Sequence, residues 1–344
     1  MEKVKLSTID RFLPLWILGS MAIGLGLGEL FPSLNDAIST FQIEGTSLPI
    51  ALGLFSMMYP VLAKVQYEEL GQLRGDKKLL ISSLVLNWLI GPALMFALAW
   101  LFLTDQPELR TGLIVIGLAR CIAMVLIWND LACGDREAAA LLVAINSIFQ
   151  ILAYAVLGTF YLRVLPDLLG FDSLEVKFST TDISKAVLIF LGVPLLAGYT
   201  TRKWGIRRKG LNWYNTKFVP KITPFALYGL LFTIIIMFAL QGQAIVDSPS
   251  IVAQVALPLL IYFFTMWGFS YAFGKWIGMG YEKATTLAFT AAGNNFELAI
   301  AVSIGVWGIT SGQALVGVIG PLIEVPVLVA LVYISLWLRK RYLR

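Results

Sequence analysis

The stretch ATTLAFTAAGNNFELAIAVSIGVWGI, residues 284–309, is apolar enough and long enough to cross a bilayer, which takes roughly 20 residues of helix. At its middle, where the hydrocarbon would be driest, it carries Gly293, Asn294, Asn295 and Glu297. A carboxylate at the centre of a span costs roughly 2.5–3.5 kcal/mol on insertion scales and is kept, as a rule, for function. The Gly-Asn-Asn triplet ahead of it is a poor helix interior, so an interrupted helix is expected here, its freed backbone groups turned toward protein or a cavity.

The rest of the chain has the same character. Of its 344 residues 58% are hydrophobic and the mean hydropathy is +0.80, more than one soluble core of this size would hide. An all-α integral membrane protein is the reading that follows, because a spanning helix satisfies its own backbone whereas a barrel shows shorter alternating segments. Apolar segments recur ten times, at 12–31, 46–65, 79–103, 111–128, 137–165, 183–201, 220–240, 250–276, 284–309 and 313–338. The first begins without a small-residue cleavage site behind it, so the N-terminus is expected to stay.

Lysine and arginine test this count, since they collect in cytoplasmic loops. With the N-terminus inside, Lys3, Lys5, Arg11, Lys64, Arg74, Lys77, Lys78, Arg136, the seven cations of 202–221, Lys275, Lys283, Arg339, Lys340, Arg341 and Arg344 fall inside, 21 of the 26. Outside are Arg110, Arg163, Lys177 and Lys185, and Arg120 lies within a span. Ten spans with both termini in the cytoplasm are implied. The net charge of +5 is thereby a topology signal, and no nucleic acid is needed to explain it.

A second polar centre, Gly117-Leu118-Ala119-Arg120-Cys121, occupies the fourth span, 176 residues before the centre of the ninth. The same offset carries Glu324 onto Ile148, beside Asn146, Ser147 and Gln150. Two five-helix repeats, 1–172 and 173–344, are expected. Five being odd, the second must be inverted, and paired broken helices, the fourth and ninth, would cross near the midplane where transporters bind cargo.

Each polar residue has a plain reading beside the functional one. Cys121 is a small packing residue or a soft donor suited to metalloids, the latter favoured by Arg120 beside it. Glu297 either neutralises Arg120 or carries protons, a task for which glutamates are the obvious side chains in a chain with no histidine. Glu324, between Pro321 and Pro326, either braces an expected kink or shares that task. Arg120 is a fixed counter-charge for a glutamate or an anionic substrate. Asn146, Asn294 and Asn295 suit a neutral polyhydroxyl cargo, yet amides also join membrane helices. Cys133 is expected in a cytoplasmic loop, and no structural disulfide with Cys121 is expected. Histidine metal sites are excluded, no cofactor is implied, and no P-loop points to an ATPase partner.

The residues Gly117 to Val125, Trp128-Asn129-Asp130-Leu131-Ala132, Gly293-Asn294-Asn295-Phe296-Glu297-Leu298-Ala299 and Gly320-Pro321-Leu322-Ile323-Glu324-Val325-Pro326 together resemble the Acr3 family of bacterial arsenite efflux permeases, in the wider group of bile acid and sodium symporters. The resemblance covers essentially the whole chain. It implies ten helices in two inverted repeats in the cell membrane and export of arsenite, with antimonite as a further cargo, against proton entry. The family's functional cysteine falls on Cys121 and its functional glutamate on Glu297. A sodium-coupled organic anion symporter, with Arg120 binding the carboxylate, is the alternative; an intramembrane enzyme using the two glutamates as an acid–base pair is the reading from another class.

Overall fold

A computed structural model describes residues 12–31, 41–43, 46–65, 76–171 and 178–342. The boundary between the two expected repeats, and the topology markers Lys3, Lys5, Arg11, Arg74, Lys177 and Arg344, lie outside the described residues. Apart from a two-residue hairpin, β1 (Gln42–Ile43) antiparallel to β2 (Thr46–Ser47), the regular structure is helical.

The helices are α1 (Leu13–Leu30), α2 (Leu48–Lys64), α3 (Lys77–Phe102), α4 (Pro107–Leu118), α5 (Met124–Leu131) and α6 (Arg136–Leu169). A helical run Thr180–Asp247 follows, bent at Gly210, where φ is 82° and ψ 160°. A straight helix of 68 residues would be about 100 Å long, some three times the hydrocarbon thickness. Gly210 takes the left-handed φ that a side chain resists and divides the run into α7 (180–209) and α8 (211–247). The remainder is α9 (Pro249–Trp276), α10 (Tyr281–Ala292), α11 (Phe296–Trp307) and α12 (Gly312–Tyr342).

Six helical segments are long and apolar enough to cross a membrane: α1, α3, α6, the run Thr180–Asp247, α9 and α12. The helix α2, at 17 residues, is slightly short, and the stretches 111–128 and 284–309 are each broken in two. Both breaks fall at the polar centres, leaving 119–123 and 293–295 out of the helices. Pro321 and Pro326 remove two backbone donors, yet α12 runs through both without a break.

Burial is inverted relative to a soluble protein. Leu15, Leu101 and Leu152 are 64%, 71% and 72% exposed, while Arg120, Gln150 and Glu324 are essentially inaccessible. An apolar outside around polar groups is what a hydrocarbon solvent requires. In one group of helices, α8 lies along α1 and α2, and α7 along α2; α3 to α6 and α9 to α12 form the other, which the first turns of α7 join through α6 and α11. Gly24 and Gly28 let α1 meet α8 backbone to backbone, since a Cβ on either would stand 2.6 or 2.5 Å from the carbonyl oxygens of Ile235 and Ala239.

Candidate functional site

The two unwound segments meet. Arg120 and Asn294 pair as an antiparallel bridge, the Cys121 N–H donating to the Gly293 carbonyl (3.3 Å) and the Asn295 N–H to the Ala119 carbonyl (3.0 Å). Backbone groups that two broken helices set free are thus satisfied by each other, as a membrane interior demands. The Asn294 side chain adds to the joint, its Nδ2 donating to the carbonyls of Ile116 (2.7 Å) and Ala119 (3.3 Å).

Four half-helices converge on this crossing, α4 and α10 by their C-termini, α5 and α11 by their N-termini. Each N-terminus is capped by a side chain from the segment before it. Asn295 Oδ1 accepts from the Leu298 N–H (3.0 Å), and the Cys121 sulfur accepts from the Val125 N–H (3.3 Å). A thiol therefore stands where the other half has an amide oxygen. Gly293 allows the sulfur in, because a Cβ there would lie 3.1 Å from Cys121 Cβ and 3.8 Å from Sγ.

The neighbouring helices hold the segments from outside. Gln150 Oε1, from α6, accepts the Arg120 N–H (2.5 Å), and Glu324 Oε1, from α12, accepts the Asn294 N–H (3.3 Å). Both bonds reach across 30 residues. The offset relating them is 174 (294 − 120 and 324 − 150), so Glu324 corresponds to Gln150 and not to Ile148 as the spacing of the polar centres suggests. Glu297 is the second residue of α11 and is buried at the crossing end of that helix, where the N-terminal dipole favours a negative group.

Of the two partners expected for Arg120, a glutamate or an anionic substrate, the glutamate is not paired with it among the described residues. Its guanidinium donates to the Tyr262 hydroxyl (3.0 Å) and to the carbonyls of Ala291 (3.3 Å) and Gly117, and among the described residues it forms no ion pair with Glu297 or Glu324. Gly91 leaves room for it, a Cβ there falling 3.0 Å from Nη1. Asn146 lies one turn before Gln150 on α6, and its Oδ1 accepts from Trp88 Nε1 (3.1 Å), joining α3 to α6. Cys133 follows the end of α5 in a left-handed conformation (φ 57°), and both cysteines are free thiols.

Three polar atoms buried at the crossing have no hydrogen-bond partner: Arg120 Nε, Gln150 Nε2 and Asn294 Oδ1. Each costs roughly 1–3 kcal/mol while unpaired, so a small ligand offering both donors and acceptors would be favoured here. Among the described residues no group of three or more histidine, cysteine or acidic side chains could hold a metal ion. A soft ligand at this site would find a single sulfur, flanked by carboxylates and amides.

Residues 51–248 match the family model described as the Sodium Bile acid symporter family. The chain is 58% identical over 337 residues to an arsenical-resistance protein, Acr3, of Corynebacterium glutamicum, covering 98% of this chain and 91% of that one. It is 31% identical over 336 residues to the protein of the same name from Alkaliphilus metalliredigens (95% and 92%), and 35% identical over 348 residues to an uncharacterized transporter of Synechocystis (96% and 88%).

Proposed function

The chain is a membrane transporter of the Acr3 arsenical-resistance family, within the wider sodium bile acid symporter family, and from that premise we propose that it exports arsenite, with antimonite as a second cargo, in exchange for protons. The observation that carries the reading is the position of Cys121, whose sulfur caps α5 at the crossing of two broken helices, within electrostatic reach of Glu297 and Glu324.

Arsenic trihydroxide enters from the cytoplasm as a neutral molecule and meets the thiol there. One As–S bond forms as one hydroxyl leaves with the thiol proton as water, and the remaining hydroxyls find the unpaired atoms of Asn294 and Gln150. A single sulfur gives a bond weak enough to reverse, which release requires. Glu297, with Glu324, takes up protons from the outer face, loosens the bound cargo and permits the return. Asn295 and Arg120 shape the site, as cap and as brace for the unwound backbone. Asn146 stands one turn away, its Oδ1 already bonded by Trp88 Nε1, so its amide N–H donors are what it offers the cargo.

The architecture assigned to this mechanism is ten spans in two inverted repeats, 1–172 and 173–344, in the bacterial inner membrane with both termini cytoplasmic, one half moving against the other. It is supported by the alternation of lysine and arginine, by the bend at Gly210 that makes two helices of one run, and by the matched bonds from Gln150 and Glu324. Uptake of an organic anion with sodium fits less well. Its anchor would be Arg120, and that guanidinium already serves two carbonyls and a tyrosine.

Everted vesicles under an imposed pH gradient test the reading. Arsenite should accumulate in vesicles of the parent, not with Cys121→Ala, and Glu297→Gln should lose the response to the gradient. Unchanged accumulation with Cys121→Ala would remove thiol ligation, and sodium-dependent anion flux without arsenite movement would replace the scheme altogether.

A further inference from the structure

Gln150 is an amide on α6, completely buried, between Phe149 and Ile151 and one turn after Asn146 and Ser147. An amide in a membrane helix commonly joins it to a neighbour, and then both its polar atoms find partners. Here only the carbonyl does. Oε1 takes the Arg120 N–H and Nε2 is left without a partner.

The bond has a counterpart in every respect but charge. Gln150 and Glu324 each come from the helix that follows a broken pair, α6 after α4 and α5, α12 after α10 and α11. Each accepts the peptide N–H of one member of the bridge at the crossing. One residue further on the correspondence continues, with Cys121 and Asn295 capping the half-helices that begin there. At the far ends the match is looser: Glu108 Oε2 accepts the N–H of Gly312, the first residue of α12 (2.9 Å), and the Glu282 carbonyl accepts the Asp135 N–H ahead of α6 (3.3 Å), a side chain in one case and the backbone in the other.

We infer that Gln150 is a positioning residue of the transport site, the uncharged counterpart of Glu324: its carbonyl pins the segment 119–123 and so sets Cys121, and its free N–H is a donor for a small hydroxyl-bearing cargo. The inference rests on the reading of Cys121 as the cargo's ligand. A carboxylate at 150 would keep the acceptor, whereas an aliphatic side chain would release a buried peptide N–H beside the thiol. The half holding Cys121 is thus latched by a group that does not ionise, and the half holding Glu297 by one that does.

The test uses a Cys133→Ser background, in which Cys121 is the remaining thiol, with Gln150→Leu and Gln150→Glu in membrane vesicles. Gln150→Leu should raise the KM for arsenite about tenfold, as expected for losing one hydrogen bond and stranding a buried N–H. It should also speed N-ethylmaleimide labelling of Cys121 severalfold; Gln150→Glu, which keeps the acceptor and lacks the donor, should restore the labelling rate to the parent's while its KM stays raised. Leu and Glu variants labelled equally fast, Glu with the parent's KM, or Leu indistinguishable from the parent, would overturn the assignment. If Gln150→Leu does not accumulate in the membrane, Gln150→Asn, whose shorter side chain withdraws the carbonyl, takes its place with the same expectations. Should the parent move no arsenite, the transport reading fails, and the labelling contrast alone still decides whether Gln150 sets Cys121.

Discussion

Gly293 has backbone angles, φ −72° and ψ 138°, that any residue adopts, so its role at the crossing is a matter of space rather than of conformational freedom. The space is taken by Cys121, whose Cβ would stand 3.1 Å from a new methyl group, tight enough to push one segment off the other. Overpacking of this kind costs ~1–3 kcal/mol, and here the strain falls on the residue proposed to bind cargo. Gly293→Ala should therefore reach the membrane in normal amount and lose most arsenite uptake in everted vesicles, with Gly293→Val worse; full uptake by both would show that the close approach is not needed. At this scale the sequence speaks unevenly. Cys121, Glu297 and Glu324 are legible because each is costly or reactive where it stands. Gln150 is not, since an amide in a span reads as a joint between helices until its partner is known to be an unwound peptide. Arg120 is legible only in part for a related reason: a buried cation suggests a carboxylate partner within the protein, and carbonyl oxygens at the breaks accept from it without declaring themselves in the sequence.

At the level of elements, the start of α3 is fixed to the start of α10 by one aspartate with two tasks. Asp76 Oδ1 caps α3 by accepting the Leu79 N–H (3.1 Å), and Oδ2 receives Lys283 Nζ (2.5 Å). The Lys283 hydrogen bond, with the cap's backbone N–H adding to it, holds the Asp76 carboxyl below its ordinary range despite partial burial, and the same bond raises Lys283 above its own. The aspartate's share of stability is present above the unfolded carboxylate value, about 4, and is lost as pH falls through the depressed value; the lysine's is present below about 10.4 and is lost as pH rises through the raised one. Both side chains are partly exposed, so the pair is worth at most about 1 kcal/mol. Asp76→Asn keeps a capping oxygen and removes only the charge. Its melting temperature in detergent should lie below the parent's at pH 7, by a difference that shrinks as the pH falls below about 4; equal values at every pH would assign all of the effect to the cap. The broken helices themselves were readable, for polar residues at mid-span admit few other readings. Their unequal gaps, 119–123 against 293–295, were not, and the two-residue difference between the expected offset of 176 and the 174 found at the bridge shows how far polar centres alone can set a register.

For the whole molecule, the decisive question is how often the chain crosses the bilayer between two exposed points. Helix length and apolarity pick out six segments, and the rest of the proposed ten depend on treating each broken pair as one crossing and the run bent at Gly210 as two. Asp105, ahead of α4, and Arg207, near the end of α7, are both exposed. Between them lie α4 with α5, α6 and α7, which the proposed topology counts as three crossings, an odd number. The two residues must then face opposite sides, Asp105 outside and Arg207 among the cations held in the cytoplasm. With Cys121 and Cys133 replaced by serine, Asp105→Cys should react with a membrane-impermeant maleimide in intact spheroplasts, and Arg207→Cys only after lysis. The reverse pattern would turn the protein over and make the outer face the one from which cargo enters. Reaction of both from one side would leave an even number of crossings, so that one of these segments does not span, and two inverted five-helix halves could not be built from this chain.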